Sequence, residues 1–128
     1  MKLRINGDSL RLRISPSEMS RLLQFGCIEE TVHFGPGHDA KFTYALLSSE
    51  DGPGKSETMT VLYVPQEISV VAAATQVRAW ANGTEVGMYA KVNTGAGQLE
   101  LAVEKDFACL DKDAAENEDT FPNPSTCK

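Results

Sequence analysis

Three acidic side chains occur close together near residue 100, in a segment that alternates apolar and polar residues. This segment, LELAVEKDF, has the pattern of a strand with one buried face. Glu100, Glu104 and Asp106 fall on the same polar face, where three carboxylates could ligate a hard divalent cation such as Mg²⁺. They could also supply a general acid and a general base. The alternative is a strand whose polar face only meets solvent, as is common in antiparallel sheets.

Two arginines occupy the polar face of a second alternating segment, SLRLRI. Arg11 and Arg13 could together bind a phosphate or a carboxylate, because a guanidinium group matches the geometry of either anion. Lys2 and Arg4 would extend this cluster if the preceding segment KLRI formed a neighbouring strand. The alternative is that the arginines pair with carboxylates of the protein itself, either those near residue 100 or those of the acidic C-terminus.

No other group of residues forms a recognisable catalytic set. His33 and His38 flank the loop FGPG and could ligate a metal with Asp39, but solvated histidines are the more common case in a hairpin. The sequence lacks a G-x-S-x-G motif and a glycine-rich phosphate-binding loop. It therefore favours a protein without catalytic activity and without a cofactor.

Charge and cysteine content limit the partners and the compartment. The chain has 128 residues, with 18 acidic against 12 basic side chains and a net charge of −6, which argues against nucleic-acid and membrane partners. No apolar run is long enough to span a bilayer or to serve as a signal peptide. Cys27, Cys109 and Cys127 are an odd number without metal-binding spacing, so we expect free thiols in the cytoplasm, and their role stays open.

Two segments have helical signals. In SPSEMSRLLQFG, Ser15 and Glu18 have the spacing of a capping box, Pro16 suits the first helical position, and Gly26 suits the helix end. The segment AATQVRAWANG also has apolar residues at helical spacing. The remaining apolar segments alternate with period two and predict strands.

The helices and strands recur in a similar order along the chain. A shift of 58 positions places the apolar residues of the first helix, and of the strands around it, on apolar residues in the second half. We therefore predict two pseudo-repeated β-α-β-β units, about residues 9–47 and 67–107, joined by the strand TMTVLYV. The predicted fold is α+β: a strongly curved, mainly antiparallel sheet of about seven strands that could approach a barrel, with two helices.

The last hairpin and the C-terminus carry two further predictions. Placing Val92 opposite Gly97 sets Val86 opposite Val103 and keeps the apolar side chains on one face. The segment 111–128 is acidic and poor in apolar residues, so we predict a single domain over residues 1–110 followed by a flexible tail.

The strings SLRLRIS, FGPG, YAL, VEKDFACL and FPNP resemble those of an uncharacterised family of small bacterial proteins. The predicted topology is also loosely similar to the CYTH-like triphosphate-tunnel fold. That similarity implies a metal site formed by Glu100 and Glu104, with Arg11 and Arg13 contacting phosphate. The chain departs from that fold's pattern because its first strand reads KLRING and lacks the Glu-x-Glu-x-Lys motif.

These observations lead to two functional hypotheses. The favoured one is a non-enzymatic binding or regulatory module that meets a partner or a small anion through its basic strand face or through a sheet edge. The second is a metal-dependent phosphohydrolase of CYTH-like shape that acts on a polyphosphate-type substrate, with Glu100, Glu104 and Asp106 as ligands of Mg²⁺ or a similar ion.

Overall fold

A computed structural model of the chain describes residues 1–52, 58–107 and 119–122. These residues form eight strands and two helices, in the order β1 (Lys2–Ile5), β2 (Ser9–Ile14), α1 (Pro16–Phe25), β3 (Cys27–His33), β4 (Lys41–Ser49), β5 (Met59–Val64), β6 (Glu67–Ala73), α2 (Ala74–Asn82), β7 (Gly87–Asn93) and β8 (Gln98–Lys105). The α+β class is therefore confirmed.

The strands form two mixed sheets of four strands each. Sheet A has the order β1-β2-β8-β7 and sheet B the order β3-β4-β6-β5. In each sheet a parallel central pair, β2 with β8 or β4 with β6, is flanked by antiparallel neighbours. The prediction of one curved, barrel-like sheet of about seven strands is wrong, because each helix carries the chain from one sheet to the other. β5 and β7 lie side by side, but no backbone ladder joins the sheets within the described residues.

The two sheets have matching registers. β1 pairs with β2 so that Leu3 faces Leu12, and β5 pairs with β6 so that Val61 faces Val70, which are the same positions shifted by 58. The segment TMTVLYV is β5, and it takes the place in sheet B that β1 takes in sheet A. The predicted strand TMTVLYV is therefore a member of sheet B.

Helix α1 begins and ends where its sequence signals predict. The Ser15 side chain accepts a hydrogen bond from the Glu18 amide, the Glu18 carboxylate accepts one from the Ser15 amide, and Gly26 ends the helix with φ of 77°. Helix α2 has no side-chain cap, and Gly83 after it is extended. The helices contact each other at one end of the sheets, while the strand turns lie at the other end.

The core lies between the inner faces of the two sheets and the helices. Its largest fully buried side chains are Trp80, Leu12, Ile14, Leu22, Leu46, Met59, Val77 and Val103. They come from both sheets and both helices and form one continuous cluster. The core thus joins the two halves of the chain.

The β7–β8 hairpin differs from its predicted register by two residues. Val92 pairs with Leu99 rather than Gly97, and Val86 lies outside β7 with an exposed side chain. The observed loop runs from Thr94 to Gly97, and in it the Thr94 amide and hydroxyl both donate to the Gly97 carbonyl. Gly97 has φ of 140°, which a residue with a side chain rarely adopts. A shift of two residues keeps the same side chains on the inner face.

Four residues of the predicted tail, 119–122, lie against the body. The Phe121 amide donates to the Asp106 carbonyl at 2.8 Å, and the Phe121 ring meets the Phe107 ring edge-on. The Asp119 carboxylate accepts from the Ser17 amide in the first turn of α1. The other residues of the predicted tail, including Cys127, lie outside the described residues, and so does Cys109.

Neither helix of the described chain has the length and apolar character to cross a membrane.

Candidate functional site

The outer face of sheet A carries charged side chains in an ordered arrangement. Alternate residues of β2 and β8, such as Leu12 and Val103, are buried in the core, so the residues between them point outward. Three rows of outward-facing residues cross the sheet: Lys2, Arg13, Glu104 and Gly87; Arg4, Arg11, Ala102 and Tyr89; and Ser9, Glu100 and Lys91. We call this surface the sheet A outer face.

Like charges face each other between β1 and β2. Arg4 is the direct partner of Arg11, and Lys2 is the direct partner of Arg13. Lys2 donates to the buried Asp106 carboxylate at 2.8 Å, and Arg11 lies 3.2 Å from the Glu104 carboxylate. Arg4 and Arg13 form no ion pair with any residue the structure describes. Like charges directly opposite each other destabilise a sheet unless an anion lies beside them.

Glu104 holds two neighbouring side chains in place. One carboxylate oxygen lies 3.2 Å from Arg11 Nε, and the other accepts a hydrogen bond of 2.7 Å from the Tyr89 hydroxyl. Burial, then this hydrogen bond and the Glu104 charge, raise the pKa of Tyr89 to about 12. The terminal nitrogens of Arg11 donate no hydrogen bond to the described part of the chain, so they are available to an anion.

A groove of about 630 Å³ runs over this surface. Its lining consists of Arg4, Asn6, Ser9, Leu10, Arg11, Tyr89, Ala90, Lys91, Glu100, Leu101 and Ala102. Ala102 lies between Arg11 and Tyr89 in the middle row, and its small side chain leaves the centre of the face open. The volume falls within the range of small-molecule sites.

The structure brings most of the predicted site residues together. Arg11, Arg13, Glu100 and Glu104 share the sheet A outer face, and Arg11 pairs with Glu104 as the self-pairing alternative predicts. Asp106 follows the end of β8, where it is buried and bound to Lys2.

The predicted metal ligands do not form a cluster. Among residues 1–52, 58–107 and 119–122, no three His, Cys, Asp or Glu side chains are close enough to hold a metal ion. His33, His38 and Asp39 are exposed. Cys27 is an exposed free thiol, and partial desolvation of its sulfur, followed by the Glu29 charge, raises its pKa.

Sequence reasoning missed Tyr89, Lys91 and Ala102 as members of the site. All three belong to the strands EVGMYAKV and QLELAVEK, and their outward direction follows from the same alternation that identified Glu100. The missing information was that β8 pairs in parallel with β2, which places these residues beside Arg11.

The substitution Glu104→Gln is expected to lower the pKa of Tyr89 from about 12 towards, but not fully to, its ordinary value of 10.0. The hydrogen-bonding carboxylate and its charge are removed, while burial remains. Ultraviolet absorbance titration of tyrosinate measures this pKa. The part of the absorbance change that is lost in Tyr89→Phe belongs to Tyr89. An unchanged titration would contradict the Tyr89–Glu104 contact.

The raised pKa also predicts how stability depends on pH. Since the folded pKa of Tyr89 exceeds its unfolded value, the contribution of Tyr89 to the free energy of unfolding is complete below pH 10.0 and disappears as the pH rises through about 12. Urea unfolding at increasing pH should show a smaller alkaline loss in Tyr89→Phe than in the original chain.

Gly87→Ala is expected to destabilise the fold by about 1–3 kcal/mol, because the added carbon overpacks the sheet. It would lie 2.6 Å from the Val103 carbonyl oxygen, 2.8 Å from Glu104 Cγ and 3.0 Å from the Tyr89 hydroxyl. Urea unfolding measures the loss, with Ala90→Gly as a comparison in the same strand. Stability equal to that of the original chain would contradict the close packing at this position.

The chain was compared with known proteins. No curated protein matches it, and no solved structure matches it. The similarity to the CYTH-like fold therefore receives no support from these comparisons, and the closed barrel of such a fold is not formed by the described residues. One family model, described as a family of unknown function, DUF7009, matches residues 1–125. Because that match covers nearly the whole sequence, the chain belongs to DUF7009.

Proposed function

We propose that the protein is a non-enzymatic binding module that takes a small anion on the sheet A outer face. The observation that supports this best is the pairing of Arg4 directly opposite Arg11, since only the Nε of Arg11 has a carboxylate neighbour among the described residues. Arg4 and the terminal nitrogens of Arg11 border the same groove. An oxyanion between them would relieve their repulsion and accept several charge-assisted hydrogen bonds.

The second sheet supplies an internal comparison. The positions of sheet B that correspond by register to Lys2, Arg4, Arg11 and Arg13 hold only uncharged residues: Thr60, Leu62, Ser69 and Val71. The same backbone arrangement therefore forms without any cation. We infer that the two halves of the chain are copies of one structural unit, and that Arg4 and the terminal nitrogens of Arg11 serve binding rather than folding.

Edge-strand protection is an alternative explanation for part of this charge. β1 is an edge strand, and charged residues on an edge discourage pairing with other chains. That explanation covers Lys2 and Arg4 but not Arg11 and Arg13, which lie on the inner strand β2 between β1 and β8. The binding proposal accounts for Arg4 and Arg11, which border the groove, while Lys2 is bound to Asp106.

The metal-dependent phosphohydrolase is a less well supported alternative. Glu104 lies beside Arg11, Asp106 is bound to Lys2, and Glu100 lies 4.0 Å from Lys91. Each carboxylate of the predicted metal site thus already has its own cationic neighbour. A cation bound there would have to compete with these side chains.

A thermal shift measurement tests the proposal. Inorganic phosphate and tripolyphosphate are added separately, each with and without Mg²⁺, at constant ionic strength. A ligand present at 100 times its Kd stabilises the folded state by about 2.7 kcal/mol, so binding raises the Tm. We expect a rise with either anion in the absence of Mg²⁺. No rise with either anion would refute anion binding, and a rise only with Mg²⁺ would favour the phosphohydrolase.

We also propose that the module works in the cytoplasm, without nucleic-acid or membrane partners. The net charge of −6 supports this, as does the exposed free thiol of Cys27. Co-sedimentation with anionic vesicles or with DNA at physiological salt tests this proposal. We expect no protein to co-sediment with either.

A further inference from the structure

We propose that the groove of the sheet A outer face selects an anion that carries a planar aromatic group, with the Tyr89 ring as the surface on which that group stacks. This inference rests on the proposed function and specifies its ligand. Tyr89 is 56% exposed and lines the groove, so one large aromatic side chain is presented to a ligand beside the cations.

The Tyr89 side chain is held before any ligand arrives. Its hydroxyl donates to Glu104 at 2.7 Å, and the same carboxylate lies 3.2 Å from Arg11. Glu104 thus fixes both the aromatic ring and the guanidinium group on one surface. A side chain already held in place loses less conformational entropy when it binds a ligand.

The middle row leaves space for a ring next to Tyr89. Tyr89, Ala102 and Arg11 are consecutive cross-strand partners, and neighbouring strands lie about 4.8 Å apart. The ring and the guanidinium group therefore begin from backbones about 10 Å apart. Within this row only the Ala102 methyl group lies between them, and the Glu104 carboxylate of the neighbouring row contacts both side chains. A planar group above Ala102 could contact both the Tyr89 ring and the Arg11 guanidinium plane.

The size and polarity of the groove agree with a ligand larger than a simple oxyanion. A volume of about 630 Å³ exceeds what one phosphate group needs, and the lining contains apolar, hydroxyl and carboxylate groups in addition to the arginines. Ser9 and Glu100, one row away from Arg11, can accept hydrogen bonds from hydroxyl or amino groups of the ligand.

The test compares three probes of similar charge in the full chain: inorganic phosphate, cyclohexyl phosphate and phenyl phosphate. The two esters differ mainly in whether the ring is aromatic. We expect calorimetric titration to show that phenyl phosphate binds about three- to tenfold more tightly than cyclohexyl phosphate. Tyr89→Leu should abolish this preference, whereas Tyr89→Phe should retain most of it.

The possible failures are distinguishable. If inorganic phosphate binds and the two esters have equal affinities, the aromatic selectivity is refuted while anion binding stands. If Tyr89→Leu keeps the preference for phenyl phosphate, the assignment of Tyr89 is refuted. If none of the three probes binds, both the inference and the proposed function are refuted. Far-ultraviolet circular dichroism of each variant verifies that it is folded.

Discussion

Replacement of Arg4 and Arg11 together by glutamine is expected to weaken the binding of inorganic phosphate by a factor of about 100 or more. Each arginine would supply charge-assisted hydrogen bonds to the anion, and one such bond contributes about 1.5–3 kcal/mol. The free energy of unfolding should change by less than about 1 kcal/mol, because the lost Arg11–Glu104 pair is partly exposed and the repulsion with Arg4 is relieved at the same time.

A matched control removes two arginines elsewhere. Arg21 and Arg78 lie on the helices, with side chains 57% and 50% exposed, and replacing both by glutamine changes the net charge by the same amount. We expect this variant to bind phosphate like the original chain in calorimetric titration at constant ionic strength. An equal loss of affinity in both double variants would mean that net charge, rather than the sheet A outer face, determines binding.

Trp80→Ala is expected to destabilise the protein by about 3–5 kcal/mol, a large part of the stability of a typical domain. Trp80 is 2% exposed and packs within the core on helix α2. Its indole Nε1 donates to the Val86 carbonyl at 3.1 Å, so the substitution also removes a hydrogen bond beside the first strand of the last hairpin. Urea unfolding followed by circular dichroism measures the loss.

Phe34→Ala is the comparison for this variant. Phe34 is an aromatic residue of the β3–β4 loop and is 74% exposed, so its truncation should change the free energy of unfolding by less than about 0.5 kcal/mol. If Trp80→Ala cost no more than Phe34→Ala, the position of α2 against the sheets would be wrong.

The local parts of the fold could be predicted because their causes lie within a few residues. Helix α1 needs only Ser15, Glu18 and Gly26 to set its two ends, and the structure has all three in these roles. The alternation of strands β2 and β8 likewise identified which residues face the core. Such signals depend only on residues that are close together in the sequence.

The arrangement of the strands could not be predicted in the same way. Alternation determines which face of a strand is buried, but it does not show that β2 pairs with β8, a strand far from it in the sequence. The last hairpin illustrates the same limit, because a register with Val92 opposite Gly97 buries the same faces as the observed pairing of Val92 with Leu99. Both registers also close with a loop of four residues, so neither alternation nor loop length distinguishes them.

The candidate site was partly predictable for the same reason. Arg11, Arg13, Glu100 and Glu104 were identified by charge and spacing, and the structure places them on one surface. Tyr89 could not be connected with them, because its neighbour in space, Ala102, has no side-chain chemistry that marks a site. Only the order of the strands in sheet A brings it into the groove.

The crossing of the chain between its two sheets has a consequence for how the molecule is made. Each sheet takes two strands from residues 1–52 and two from residues 58–105, so neither half of the polypeptide contains a complete sheet. During synthesis, β2 gains its neighbour β8 only after β8 has left the ribosome. Two fragments divided between residues 52 and 58 should each remain largely unstructured and should gain strand content only when mixed.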